Sequence, residues 1–339
     1  MKKEKVKVCE LAYTRLEING MTGEASFCCP SFTFPYTLGN FHKESFEKIW
    51  NGEKAQALRQ TMLDGNYKYC KRDLCSYNGD DIYTGYEKYT TIADSPEVVE
   101  LAPSSVCNVR CIFCRDEYGV YPIEKNKNFF KKMLPKYLEA IKNAKFLNLN
   151  QCGEALADAH CKILLQEALK INPNLKIGLL TNGKLCNKKT LDNYGISDNL
   201  YWVSVSVHAA SKNTYDKIVK DSDFTAVQKN VEYLAKQKIA GKIERVTINF
   251  VVNVYNYKEI PAFAKWAKKL DIDCEIWETR QYEGEDEDSL PFALREANFK
   301  KIAVFLPTHP EYKELIKILQ DPILKEDFCF VNNYLTNLT

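Results

Sequence analysis

The sequence lacks any apolar run approaching the roughly 18 residues of a membrane-crossing helix, and its basic first residues lead into no apolar stretch of the secretion-signal kind. Those absences predict a cytoplasmic protein with no membrane span. An excess of one charge is missing too, since 47 Lys and Arg stand against 45 Asp and Glu, a net +2. No global field therefore favours nucleic acid or an anionic surface as partner. No internal repeat is present, which argues against a solenoid or propeller. Disorder throughout is excluded as well, because 45% hydrophobic residues against 27% charged give 339 residues enough apolar surface for a substantial core.

What the chain does have is cysteine, 13 in all. A reducing cytoplasm disfavours a disulfide framework, so metal or cluster ligation is the leading reason to keep so many thiols.

From about residue 97 short apolar runs alternate with amphipathic stretches, the pattern of βα units around a parallel sheet. Six strands are predicted, at 98–102, 146–150, 176–181, 201–207, 245–252 and 274–278, with helices at 129–143, 161–171, 212–220, 224–238 and 257–270 between them. The expected fold is α/β, a partial (β/α)6 TIM-like barrel. Residues 1–95 read differently, as a strand pair at 13–18 and 25–28 joined by Asn19-Gly20-Met21-Thr22-Gly23, followed by a helix across 45–63. The expected division is 1–95, a small hairpin-plus-helix unit; 96–282, the barrel; and 283–339, a C-terminal extension with weak helical patterning and an acidic solvated loop at 283–288.

Immediately after the first barrel strand comes Cys107-Asn-Val-Arg-Cys111-Ile-Phe113-Cys114, a spacing short enough for one loop to wrap one inorganic cluster. Parallel βα barrels carry their reactive groups on loops at the C-terminal ends of strands, and this loop occupies such a place. Three thiolates on a four-iron cluster leave one iron open to a further ligand, whereas electron-transfer clusters are closed by four cysteines. A zinc site borrowing a fourth ligand such as Cys152 is the competing reading.

The Cys-x3-Cys-x2-Cys spacing, with Phe113 before its last cysteine, resembles the motif of the radical S-adenosylmethionine (SAM) superfamily. The resemblance implies a [4Fe–4S] cluster on Cys107, Cys111 and Cys114 whose open iron chelates the methionine end of SAM. It extends over roughly 97–280. Strand two ends in Asn150-Gln-Cys-Gly153-Glu154, similar to the family's Gly-Gly-Glu segment with Cys152 for the first glycine, which implies that Gly153 and Glu154 grip the ammonium of SAM; a helix-capping loop is the alternative. Asn182 in Thr-Asn-Gly after strand three and Ser204, Ser206 and His208 on and after strand four stand where the family lines the SAM ribose, and Asn253 after strand five stands where an amide would contact the ribose or carboxylate of SAM. His208 can equally be a satisfied loop histidine, and Asn253 a turn amide.

In the first 95 residues, Cys9 is followed by Gly23, then Cys28, then Cys70 and Cys75. That spacing, with Leu38-Gly39-Asn40, Glu47-Lys-Ile-Trp50-Asn51 and Leu58-Arg59, resembles the auxiliary-cluster motif of SPASM and twitch domains, here ahead of the barrel instead of behind it. The resemblance implies a second [4Fe–4S] cluster on Cys9, Cys28, Cys70 and Cys75. Cys29 could replace Cys28, and a structural zinc is the competing occupant. Cys161, Cys186, Cys274 and Cys329 are singly placed and are read as core or surface thiols.

Together these features imply an enzyme that cleaves SAM reductively to a 5′-deoxyadenosyl radical, which abstracts hydrogen from a peptide or small-molecule substrate. An electron donor such as flavodoxin or ferredoxin is the implied partner. No helix-turn-helix peptide-recognition unit is recognisable at the N-terminus, and a substrate from a sugar or surface-glycan pathway is an alternative. From another class, a non-catalytic iron–sulfur electron carrier or a zinc-binding protein would need no SAM pocket.

Overall fold

The computed structural model describes residues 8–28, 36–70, 83–84, 94–112, 123–149, 153–278 and 312–331. It begins with β1 (Val8–Cys9), a single helical turn α1 (Leu11–Thr14), and a hairpin of β2 (Arg15–Asn19) and β3 (Glu24–Ser26). Next come β4 (Gly39–Asn40) and two helices, α2 (Phe46–Asn51) and α3 (Glu53–Leu63). The single helix expected across 45–63 is thus two. Ser45 caps α2 by accepting from the Lys48 N–H, and Gly52 ends it in extended backbone, where a Cβ would stand 2.1 Å from the Lys48 carbonyl oxygen. β5 (Tyr83–Thr84) pairs antiparallel with β1.

The barrel part follows as β6 (Val98–Ala102), β7 (Arg110–Cys111), α4 (Ile123–Ile141), β8 (Phe146–Leu149), α5 (Ala159–Ile171), β9 (Lys176–Thr181) and α6 (Lys188–Tyr194). It continues through β10 (Leu200–Ser206), α7 (Lys212–Ile218), β11 (Val219–Lys220), α8 (Phe224–Ile239), β12 (Arg245–Val252), α9 (Ile260–Lys269) and β13 (Asp273–Glu278). The described chain closes with α10 (Tyr312–Leu319) and β14 (Cys329–Val331).

Strands β6, β8, β9, β10, β12 and β13 lie side by side in that order, each parallel to the next. They are the six expected strands, each within a residue of its expected bounds. Among the described strands the sheet does not close on itself, β14 and β4 being its outer strands. It is a partial barrel. Alternation along each strand sorts the two faces. Val203 and Val205 are wholly buried among the core residues, whereas the alternate positions Ser204 and Ser206 sit in register with Thr247 and Asn249 and carry polar groups on the other face. Four of the connecting helices have side-chain caps: Asp158, Asn187, Ser211 and Asp223 accept from backbone N–H groups at the openings of α5, α6, α7 and α8.

The N-terminal hairpin continues this sheet. β2 runs parallel to β6 from Arg15↔Val98 to Asn19↔Ala102, and the Gly20 N–H donates to the Ala102 carbonyl at 2.9 Å. At the far edge β14, unforeseen in the sequence pattern, pairs parallel with β13 in the register Cys274↔Cys329. These two cysteines, singly placed in sequence, are cross-strand neighbours with Sγ atoms 3.0 Å apart. Cys161 and Cys186 are buried in the core, as expected.

Candidate active site

The cysteine loop leaves the C-terminal end of β6, with Cys107 exposed and Cys111 half-buried. Its far limb is fixed because β7 pairs antiparallel with β11, Cys111 opposite Val219, and Arg110 Nε reaches Asp221 Oδ2 at 2.6 Å. Its near limb rests on the turn after β9. There Asn182 Nδ2 donates to Asn108 Oδ1 at 2.8 Å and lies 3.8 Å from Cys107 Sγ, while Lys184 Nζ donates to the Asn108 carbonyl at 3.1 Å. Lys184 and Asp221 lay outside the motifs and Arg110 was an unassigned position within the cysteine motif, so only their closeness in the fold marks them.

Gly153 and Glu154 abut the same loop from the end of β8. The Glu154 N–H donates to the Val106 carbonyl at 2.6 Å, and Gly153 has φ +85°. A Cβ at Gly153 would lie 2.6 Å from Val106 O and 2.9 Å from Ser105 C, both backbone atoms, so this position requires glycine twice over. Glu154 is buried and its carboxylate binds three donors: Thr181 Oγ1 at 2.8 Å and the Leu156 N–H at 3.2 Å on Oε1, and the Asn182 N–H at 2.6 Å on Oε2. Burial pushes its pKa up while those hydrogen bonds pull it down. Of about four lone-pair sites on a carboxylate, three are thus occupied and one on Oε2 is left for a cation.

Further round the mouth, Ser204 is buried with an Oγ that has no hydrogen-bond partner, as are Asn249 Oδ1 and Ser105 Oγ. His208 is buried in the left-handed region, φ +64°. Its Nδ1 accepts from the Val251 N–H at 3.1 Å, placing the ring proton on Nε2, and burial holds its pKa down to about 3. His208 is therefore a neutral tie between β10 and β12. Asn253 folds into an Asx turn, Oδ1 accepting from the Tyr255 N–H at 2.9 Å. Sequence reasoning missed Asn256, which has no exposed surface and whose Nδ2 donates to the His208 and Val251 carbonyls, both at 2.9 Å. It also missed Glu259, whose carboxylate gathers the Ala210 and Ser211 N–H groups and the Ser211 and Thr214 hydroxyls at the start of α7. An asparagine and a glutamate amid helical polar residues carry no signal of such roles.

Phe113, Cys114, Cys75, Cys29 and Cys152 lie outside the described residues. Cys9, Cys28 and Cys70 are half-buried. Among the described residues no three His, Cys, Asp or Glu side chains already stand together as a metal site.

Two family models match in succession: SPASM, an iron–sulfur cluster-binding domain, over residues 9–76, and the Radical SAM superfamily over 101–267. The chain belongs to the radical SAM superfamily. Its SPASM domain precedes the radical SAM domain, the order expected from the cysteine spacing. This radical SAM protein is 26% identical over 177 residues to a GTP 3′,8-cyclase of Thermodesulfovibrio yellowstonii, an alignment covering 51% of this chain and 52% of the cyclase. The chain thus spans about half the length of that curated relative. Among solved structures it is similar to anSMEcpe with bound AdoMet and Cp18Cys peptide (18% identity, TM-score 0.46, 69% of this chain and 62% of that one). It is similar also to TYW1 with a lysine-pyruvate adduct (15%, TM-score 0.39, 67% and 74%). The two matched domains are of kinds that hold SAM and [4Fe–4S] clusters, an auxiliary one among them.

The described residues fit the SAM-binding group. A carboxylate with one lone pair left for an ammonium stands beside the thiol loop, and among the described residues three buried polar atoms, Ser105 Oγ, Ser204 Oγ and Asn249 Oδ1, have no partner. No described helix is long and apolar enough to cross a membrane.

Proposed function

We propose that this enzyme cleaves SAM reductively and takes a hydrogen atom from a peptide or small-molecule substrate, using a cluster held by Cys107, Cys111 and Cys114. The observation that carries the reading is the convergence of the turns after β8 and β9 on the cysteine loop, joined by Glu154, Asn182 and Asn108. When bound, the cluster supplies one electron from an external donor of the flavodoxin or ferredoxin class and SAM supplies the carbon-centred radical that accepts the hydrogen. The chain's own work is orientation. Gly153 lets the turn after β8 pack against the backbone at 104–106, which sets Glu154 beside the cysteine loop, and the remaining Glu154 lone pair receives the ammonium of SAM. Ser204, Ser206 and Asn249 offer hydroxyl and amide groups at one wall of the barrel, while Asn253 and Asn256 hold the His208 turn in shape. His208, neutral at physiological pH, shapes that wall without adding charge.

The test is anaerobic incubation of the reconstituted protein with dithionite and SAM, read by chromatography for 5′-deoxyadenosine and methionine. Slow formation without substrate is expected, and none from the Cys107/Cys111/Cys114→Ala variant. No 5′-deoxyadenosine from wild-type protein whose cluster is verified by spectroscopy would overturn the reading in favour of an electron carrier.

A further inference from the structure

Arg59, on α3, is 2% exposed, and the described structure offers its charge no carboxylate. Its Nε donates to the Ala12 carbonyl at 2.8 Å, and its Nη1 donates to the Trp50 carbonyl at 2.8 Å and reaches Asn51 Oδ1 at 3.4 Å. Among the described residues Nη2 is buried with no hydrogen-bond partner. The guanidinium lies over three aromatic rings, Phe27 at 4.5 Å, Trp50 at 4.6 Å and Tyr13 at 5.7 Å. Burial pushes its pKa down to about 10, which leaves it charged at neutral pH.

Rings and carbonyls soften the burial of a cation but do not neutralise it. An ion taken out of water without a counter-ion costs several kcal/mol, and nature resolves such cases by pairing. Among the described residues no anion stands beside Arg59. The surroundings indicate which one would pair with it. Ala12 lies three residues after Cys9, Phe27 is the residue before Cys28, and α3 packs on β1, the strand that contains Cys9. Two of the groups that box in the guanidinium, Ala12 and Phe27, thus belong to segments that present the thiols, and a four-iron cluster closed by four thiolates is doubly negative when oxidised and more so when reduced.

We propose that Arg59 is the built-in counter-cation of the auxiliary cluster, its Nη2 donating to a cluster sulfide or a ligating thiolate sulfur and favouring the reduced state. The proposal rests on the ligand set Cys9, Cys28, Cys70 and Cys75. A cation beside the cluster stabilises each added electron, and hydrogen bonds to cluster sulfur raise the potential in the same direction. Arg59 acts through the cluster and touches no substrate, so it is a tuning residue and not a catalytic one.

The experiment uses the full chain in the Cys107/Cys111/Cys114→Ala background, where the auxiliary cluster is the remaining iron centre. Arg59→Met and Arg59→Lys are compared with the parent by iron content, by redox titration followed with electron paramagnetic resonance, and by thermal unfolding with and without the cluster. Arg59→Met is expected to lower the midpoint potential. It is also expected to raise the melting temperature of the iron-free protein, whose buried cation has no partner, and to lose that gain when the cluster is present. Arg59→Lys, which keeps the charge, should hold its potential near the parent value. An unchanged potential, with equal shifts in melting temperature in both forms, would overturn the proposal and leave Arg59 as a packing residue. Absence of iron from the parent itself would instead remove the ligand set, and the proposal with it. Should Arg59→Met fail to fold in both forms, Arg59→Lys decides: a parent-like potential supports the proposal, and a potential well below the parent's despite the retained charge would overturn it.

Discussion

The strand-end region and the hairpin region bury charge in opposite ways. Glu154 accepts from three donors in two segments, Leu156 beside it and Thr181 and Asn182 after β9, so its turn is held by the protein before any ligand arrives. Among the described residues Arg59 has only carbonyls and rings, and one of its nitrogens has no hydrogen-bond partner. The contrast teaches that one site is preformed whereas the other is completed by what binds it. A preformed site costs little reorganisation when SAM arrives, and a completed one ties local stability to its cofactor.

Replacing Cys9 and Cys28 by Ala should break the contrast most severely. Of about eight irons expected for two four-iron clusters, half should be lost, and amide protection in β2, β3 and α3 should fall while that of β8 and β9 stays. The Cys107/Cys111/Cys114→Ala variant should lose the other half and leave both regions protected. Hydrogen exchange read by mass spectrometry decides, and equal loss of protection in the two regions under either change would dissolve the distinction.

Gly153→Ala comes next. Its Cβ would meet two backbone atoms at under 3.0 Å, in a left-handed conformation, so a cost of about 1–3 kcal/mol is expected, together with weaker SAM binding by equilibrium dialysis. Wild-type affinity and stability would show that the turn is not rigid.

His208 gives a pH test of the same region. Its folded pKa lies near 3, below the ordinary histidine value, so the unfolded chain takes up a proton that the folded chain refuses. Stability from this group is complete above about pH 6.5 and declines as pH falls toward 3. Between pH 6.5 and 5 the decline amounts to at most about 2 kcal/mol. Urea unfolding of the iron-free protein should show it, and His208→Asn, which tolerates the left-handed backbone, should flatten the slope. A wild-type slope unaltered by the substitution would assign the acid sensitivity elsewhere.

Glu154→Gln is the mildest change. Trading an acceptor for a donor opposite Thr181 or the Asn182 N–H should weaken SAM about tenfold, near 1.4 kcal/mol, with iron content intact. Unaltered SAM affinity would leave Glu154 as a brace for the 181–183 turn alone.

The barrel was legible because its six strands are short apolar runs at regular intervals, so periodicity and cysteine spacing pointed to the same strand end. Gly153, Glu154 and Asn182 could be named from their places after strands. Their mutual bonding could not, since it joins residues 28 apart through a carboxylate whose sequence neighbours do not mention it. Three features escaped for a shared reason. The pairing of β2 with β6, the β14 edge strand and the break at Gly52 depend on tertiary neighbours: a partner strand's open edge in the first two, and a carbonyl one turn back in the last. Arg59 was visible only as part of a motif, because burial without a counter-ion is a property of three dimensions.

The parallel ladder between β2 and β6 also sets an order of events during synthesis. A ribosome releases the hairpin some eighty residues before the first barrel strand, so β2 emerges with an unpaired edge that only β6 can cover in register. The nascent hairpin is then a template on which the barrel's first strand is laid. Deleting it would remove a cofactor site and would also leave β6 with an exposed edge, the kind of surface on which chains aggregate.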